Sequence, residues 1–278
     1  MNVAIIGAGT LGRRIAAVYV GGGSDVHIFD LSAEQREATR EYVEEHVAQT
    51  QQTLGLHPDR RGRVEISGEL QEAVAGAWMV IEAVPERIDI KTELFGDLDR
   101  LTEPEAILCS NSSSIPTSQI IGKVDHPERV LNTHYQQPPE LNAVELMSCG
   151  ETDLGVIEAL MEKLPHYGLV PFWVRRESDG FIFNRVWAAI KRECIMVVEE
   201  GVAPPEDVDA MWEIFTRAGV PSFRLMDRVG LDVVLAIEEH YAAVREGIPE
   251  GPRKLLREYI GQDRLGVKSG RGFYEYTD

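Results

Sequence analysis

Short apolar runs alternate with longer stretches of helical period along the first 175 or so residues. Val3–Ile6, Val26–Phe29, Val64–Ile66, Trp78–Ile81, Ile107–Cys109, Val130–Thr133 and Leu169–Val174 are rich in β-branched and large apolar residues, and they predict strands. Helical stretches lie between them. The longest runs from Ser32 to about Leu54, with Ser32 placed as an N-cap and Gln35 three residues on, the pattern of a capping box. Such alternation predicts a parallel sheet covered by helices. After Asp179 the strand pattern stops. Segments 181–200, 205–218, 224–246 and 252–261 read as helices, with Gly219, Gly247 and Gly261 positioned as their C-caps. We therefore expect an α/β domain over residues 1–178 and a smaller all-helical domain over 179–278.

Composition narrows the class. The chain has 278 residues, 44% hydrophobic and 27% charged, which excludes disorder as its main state. No run of about 18 apolar residues is present, and the apolar start at Val3–Ile6 stops at Gly7, so neither a membrane span nor a secretory leader is expected. The reading is cytoplasmic. Lysine and arginine number 28 against 46 acidic residues, a net charge of -18 that repels nucleic acid and anionic membrane. It also opposes a polyanionic ligand unless basic groups cluster locally. Cys109, Cys149 and Cys194 form no CxxC pair, which argues against both a disulfide framework and a zinc site, and no metal is expected.

The chemistry begins at the first turn. Gly7-Ala8-Gly9-Thr10-Leu11-Gly12 places GxGxxG between a buried strand and a helix. Gly7 suits the tight turn, Gly9 lets backbone approach a pyrophosphate, Gly12 permits close helix packing, and the helix N-terminus offers amide donors. A second strand ends at Asp30, 18 residues beyond Gly12, near the spacing expected of an acidic ribose ligand. The pattern predicts a Rossmann-type nucleotide site, and Asp30, which would repel a 2′-phosphate, points to NAD over NADP.

Further markers follow along the chain. They are Glu82-Ala83-Val84-Pro85-Glu86 with Lys91 and Leu94-Phe95, Ser110-Asn111-Ser112-Ser113-Ser114, His134 with Pro138, and Val144-Glu145. Gly180-Phe181 with Asn184-Arg185, Asp227 to Asp232, and Gly266 to Tyr274 complete the set. In this order the chain resembles the 3-hydroxyacyl-CoA dehydrogenase family from end to end. The resemblance implies an NAD-dependent oxidoreductase of fatty-acid metabolism, acting on a small-molecule substrate at a site between its domains, and a homodimer paired through the helical domain. The apolar Val229–Ile237 stretch offers a candidate pairing face.

By the same resemblance His134 is the general base, and Glu145 holds its other nitrogen. Ser113 hydrogen-bonds the substrate oxygen and contacts the cofactor, while Asn184 helps to polarise that oxygen. Glu86, Lys91 and Gln137 match cofactor-facing positions. Each has a plainer alternative: Ser113 in a turn, Asn184 bridging helices, Glu145 paired on the surface, and Glu86 and Lys91 on a solvated helix face. A non-catalytic NAD-binding protein with the same fold is the alternative from another class.

Two departures from the family pattern matter. The usual two aromatics and Asn-Pro after the histidine are here Tyr135-Gln136-Gln137-Pro138, and the spacing to the glutamate is one residue shorter. In addition, the arm from Leu31 to Arg61, where the acyl-CoA enzymes carry basic groups for the coenzyme A phosphates, contains no lysine. Relatives that oxidise small polar alcohols, such as gulonate and carnitine dehydrogenases, have no such requirement, which keeps a hydroxy acid or polyol substrate open.

Overall fold

The computed structural model describes residues 2–217, 219 and 221–276. The chain divides into two compact units, one ending at Ile182 and the other starting at Phe183. The first carries one eight-stranded sheet. Its strands are β1 (Asn2–Ile6), β2 (Asp25–Phe29), β3 (Val64–Ser67), β4 (Ala77–Glu82), β5 (Ile107–Ser110), β6 (Val130–Gln137), β7 (Leu141–Ser148) and β8 (Val170–Val174). They lie in the order β3-β2-β1-β4-β5-β6-β7-β8. Neighbours are parallel except β6 and β7, which pair antiparallel. The chain runs outward from β1 in both directions, so the carboxyl ends of β1 and β4 flank the switch point where ligands of such sheets bind.

Alternation along the inner strands explains why both faces are covered. Val3 and Ile5 enter one core with Ile28, Met79 and Ile81, whereas Ala4 and Ile6 enter the opposite core with Val80, Leu108 and Phe95. Helix α1 (Thr10–Gly21) and α2 (Ala33–Leu54) cover the first face. On α2 the buried Thr39, Val43, Val47 and Thr50 form one stripe, and the expected cap is present: Ser32 accepts from the Gln35 amide. The short α3 (Leu70–Val74) and α4 (Ile88–Leu101) pack on the second face, and α5 (Leu154–Lys163) returns to the first.

Two expectations change here. The strand foreseen over Val130–Thr133 continues to Gln137, and β7, a strand that the apolar pattern does not predict, pairs with it. Polar His134, Gln136 and Gln137 disguise the first, and Asn142 and Glu145 the second. Both strands are largely buried, so their polar groups are satisfied inside the protein rather than by water.

The second unit holds α6 (Phe183–Glu199), α7 (Pro205–Thr216), α8 (Ser222–Val229), α9 (Leu231–Val244) and α10 (Gly251–Gly261). The helix expected over 224–246 is broken at Gly230, where φ is +101°. The glycine C-caps also differ: Arg217 caps α7, Arg245 follows α9, and Gly261 lies inside α10. Within the candidate pairing stretch Val229–Ile237, Leu231 and Val234 are core residues, packed with Ile195, Phe223, Met226 and Leu256. Asp227 at its edge accepts from the amides of Phe273 and Tyr274 and from the Tyr276 hydroxyl, while Lys268 pairs with Asp232. The segment from Gly266 to Tyr276 is thus laid across α8 and α9 by two carboxylates. All three cysteines are buried and unbridged.

Candidate active site

The turn after β1 is fixed by close approach. Gly7 has φ +109°, and a Cβ there would meet the Ala83 carbonyl oxygen at 2.5 Å; a Cβ on Gly12 would lie 2.0 Å from the Gly7 carbonyl oxygen. Gly9 differs, because a Cβ there meets nothing within 4 Å. Steric demand from the protein explains two of these glycines and leaves the third unexplained. Gly9 is also the N-cap of α1, and no side chain caps that helix, so Thr10 and Leu11 begin it with their amides unclaimed by a cap. Asp30, just past β2, accepts the Ala8 amide at 2.9 Å and the Ser32 amide at 2.9 Å, which locks the glycine turn to the end of the second strand.

At the other side of the sheet, the β6–β7 ladder sets His134 directly opposite Glu145. His134 Nδ1 and Glu145 Oε2 are 2.8 Å apart, and both residues are buried. The other carboxylate oxygen, Oε1, accepts the Ile182 amide at 2.8 Å, so the carboxylate is held at both oxygens. The Phe181 ring packs on the imidazole with centroids 4.9 Å apart, and Phe181 keeps φ at +54°, a conformation that a bulky side chain rarely adopts. Engagement of Nδ1 leaves Nε2 as the imidazole atom able to exchange a proton with a ligand.

Gln136 is a member of this group that the motif reading passed over in favour of Gln137. Its Nε2 lies 3.2 Å from Glu145 Oε2 and 3.4 Å from His134 Nδ1. Strand alternation carried the signal, since residues two apart share a face. Between the Tyr135–Val144 and Gln137–Leu141 pairs, Asn142 and Ala143 together oppose Gln136 alone, a bulge at the site. Gln137 is exposed, and its carbonyl is approached by Arg14 of α1 at 3.4 Å.

Between these two regions lies a buried polar network. Lys91 and Glu82 are 1% and 0% exposed, so Lys91 does not sit on a solvated helix face. Its Nζ is 2.5 Å from Glu82 Oε1, 3.2 Å from Glu86 Oε2 and 3.4 Å from the Val84 carbonyl oxygen. Its three donors are thereby spent within the protein. Burial alone would raise the Glu86 carboxyl, but hydrogen bonds from Ser112 and Ser114, together with the Lys91 ammonium, outweigh it and hold the group below the usual carboxylate range. Ser113 is exposed on the loop these residues brace. Asn184 belongs to the second unit, in the first turn of α6, and is half-buried there. Among the described residues no cluster of His, Cys, Asp and Glu could hold a metal ion, and no helix is long and apolar enough to cross a membrane.

Comparison with known proteins now bears on these groups. Residues 2–177 match the model of the 3-hydroxyacyl-CoA dehydrogenase NAD-binding domain, and residues 180–276 match that of the C-terminal domain of the same enzymes. The chain belongs to the 3-hydroxyacyl-CoA dehydrogenase family. It is 35% identical to a probable 3-hydroxybutyryl-CoA dehydrogenase of Bacillus subtilis, over 100% of this chain and 98% of that protein. It is 31% identical to the 5-formyl-3-hydroxy-2-methylpyridine 4-carboxylate 5-dehydrogenase of Mesorhizobium japonicum, over 99% and 91% of the two. Among solved structures, an (S)-3-hydroxybutyryl-CoA dehydrogenase from Ralstonia eutropha superposes with a TM-score of 0.88 at 27% identity, covering 100% of this chain and 99% of that one. A diketoreductase gives 0.83 at 28% identity, covering 99% of each chain.

This family member is an NAD-dependent enzyme, and its relatives differ in whether their substrates carry coenzyme A. The residues present fit the cofactor. The open space at Gly9, the uncapped start of α1 and the carboxylate of Asp30 are what a dinucleotide phosphate and ribose need of a backbone turn.

Proposed function

We propose that the enzyme interconverts a 3-hydroxy group and a ketone, with His134 as general base and Glu145 as the residue that orients it. The observation carrying this reading is the 2.8 Å bond between His134 Nδ1 and the twice-held Glu145 carboxylate. With Nδ1 donating to Glu145, Nε2 carries the lone pair that takes the hydroxyl proton, and the carboxylate stabilises the imidazolium formed. NAD+, when bound, supplies the hydride acceptor. Gly7, Gly9, Thr10, Leu11 and Gly12 hold its phosphates by backbone, Asp30 takes the adenosine ribose, and Glu86, with Lys91 behind it, and Gln137 serve the nicotinamide half. Ser113 and Asn184 donate to the substrate oxygen and favour the charge that grows there. His134→Ala should lower turnover by about 10²–10⁴-fold with NADH affinity unchanged. Full activity in that variant would refute the assignment.

The first reading of the substrate is a 3-hydroxyacyl-CoA. A second, a small hydroxy acid or polyol, is favoured by the charges on the α2 arm. Arg36 is turned onto the Asp30 carbonyl, Arg40 onto Glu37 and Arg61 onto Glu44, so three arginines there are engaged internally. Rates with acetoacetyl-CoA and NADH against a panel of free 3-hydroxy acids and polyols with NAD+ decide between the two. We place the enzyme in the cytoplasm and assign it a homodimer. Support for pairing comes from α7, where Met211, Ile214 and Phe215, spaced to share one helix face, are 67%, 77% and 86% exposed. Phe215→Glu should yield monomers by light scattering, and an unchanged mass for that variant would remove α7 from the interface.

A further inference from the structure

Four serines fall within the five residues that end β5 and start the following loop, and three of them are committed to the protein. Ser110 Oγ donates to Glu82 Oε2 at 2.7 Å and accepts the Ser112 amide at 3.2 Å. Ser112 Oγ donates to Glu86 Oε1 and accepts the Ile115 amide at 2.8 Å. Ser114 gives both its hydroxyl, at 2.7 Å, and its amide, at 3.1 Å, to the same Glu86 oxygen. Asn111 is tied on both sides: its amide donates to the Glu82 carbonyl at 2.9 Å, and its Oδ1 accepts the amide of Tyr135, the residue after His134. Ser113 alone of the four is left outward, with no hydrogen bond to the described residues.

These bonds converge on one side chain. Glu82 Oε1 accepts from Lys91 Nζ at 2.5 Å and from the Val84 amide at 2.8 Å, and Oε2 takes Ser110. Lys91 in turn reaches Glu86 at 3.2 Å. A carboxylate at 0% exposure is costly unless every lone pair is used, and here both oxygens are engaged. Nothing in this arrangement lets Glu82 touch a ligand, so the cost is matched by what it holds in place.

We propose that Glu82 is a positioning residue for Ser113: through Ser110 on one oxygen and through Lys91 and Glu86 on the other, it clamps the loop so that the Ser113 hydroxyl stands at a fixed place beside the β6 strand that bears His134. This rests on the reading of Ser113 as the group that binds the substrate oxygen. Glutamine in place of Glu82 has the same shape but one acceptor oxygen. With that oxygen toward Lys91, its amide faces Ser110 and turns that hydroxyl from donor to acceptor. The ammonium also loses one of its two countercharges.

The test is a double-mutant cycle between Glu82→Gln and Ser113→Ala, run on the fastest substrate of the panel above, with NADH affinity measured by fluorescence in each variant and a crystal structure of Glu82→Gln. Removing a donor to the reacting oxygen costs about 10²–10³ in turnover, and misplacing it should cost roughly 10–100-fold. We expect Glu82→Gln to lose that much in turnover at saturating NADH, with a smaller change in the NADH dissociation constant through Lys91 and Glu86. In the Ser113→Ala background the same change should cost under threefold, and the crystal structure should show Ser113 displaced or in several conformations. Additive losses, an unmoved Ser113, or a fall in NADH affinity matching the fall in rate would overturn the proposal. Should Ser113→Ala turn over as fast as the parent, the role of Ser113 and the clamp fail together. A slow Ser113→Ala with additive losses removes the clamp alone. If Glu82→Gln does not fold, Ser110→Ala removes the bond to Glu82 together with the one its hydroxyl accepts from the Ser112 amide, leaves Glu82 and its charge in place, and the same non-additivity with Ser113→Ala is required of it.

Discussion

Replacing Gly9 by alanine separates a glycine kept for folding from one kept for a ligand. In the protein alone the added Cβ meets nothing within 4 Å, and the backbone at Gly9, φ -72° and ψ -172°, suits any residue. Alanine is a poorer N-cap than glycine by roughly 0.5–1 kcal/mol, whereas the less flexible unfolded chain returns about 0.4–1 kcal/mol. The two nearly cancel. Gly12→Ala provides the contrast. Its helix propensity improves by about 1 kcal/mol, yet its Cβ would stand 2.0 Å from the Gly7 carbonyl oxygen and force the helix off the turn. Overpacking of that kind costs roughly 1–3 kcal/mol or more. Thermal melts without cofactor should therefore place Gly9→Ala within about 2 °C of the parent and Gly12→Ala several degrees below it. Adding NADH at 100 times its dissociation constant should stabilise the parent by about 2.7 kcal/mol, on the order of 5–10 °C, and Gly9→Ala hardly at all. A Gly9→Ala protein that binds NADH like the parent, or that melts as low as Gly12→Ala without it, would refute this division of roles.

Two further substitutions probe charge. Asp30→Asn removes the negative charge that would repel a 2′-phosphate while keeping an acceptor for the Ala8 amide, so the preference for NADH over NADPH should narrow by roughly 10–100-fold, about 1.4 kcal/mol per tenfold. Titrations with both dinucleotides measure this, and a parent that already favours NADPH contradicts it. Asp99 accepts from Arg129 at 2.8 Å and from the Asp125 amide at 2.7 Å. Burial raises its carboxyl, but the Arg129 bond and the backbone amide outweigh burial and hold it low. A depressed carboxylate contributes stability that is present above the unfolded value of about 3.9 and is lost as pH falls through the folded one. Asp99→Asn should therefore cost roughly 3–5 kcal/mol near neutrality, and the gap to the parent should close in melts taken from about pH 5 downward. A gap that stays constant with pH would show that the ion pair is not its source.

How much of this could be read beforehand depends on where polar groups are satisfied. The β1-turn-α1-β2 unit was legible because its glycines and Asp30 obey rules of backbone geometry that any sequence must display. The pairing of His134 with Glu145 was legible only through resemblance, since neither periodicity nor spacing pairs a residue at the end of one run with another eleven residues on. The hairpin that brings them together was hidden by its own polar residues. Gln136 could have been found by counting in twos from His134, a rule that applies only once β6 is known to extend so far. Lys91 was unreadable in a different way. On a helix of mixed polarity a lysine is ordinarily solvated, and its burial follows from Glu82 and Glu86, which lie nine and five residues before it and are brought near only by the turn between β4 and α4. Helical periodicity runs on either side of Gly230, so the pattern makes it part of one helix and does not display its positive φ.

The place of β1 inside its sheet, with a strand on either side, has a consequence for biosynthesis. Its two neighbours are β2 and β4, and the second of these begins only at Ala77. At a translation rate of roughly 5–20 residues per second, the apolar edge from Val3 to Ile6 waits several seconds for its second partner to emerge from the ribosome. During that interval the nascent chain exposes one unpaired edge of the strand, and yields in a cell should respond to the supply of holdase chaperones more than to the stability of the finished enzyme.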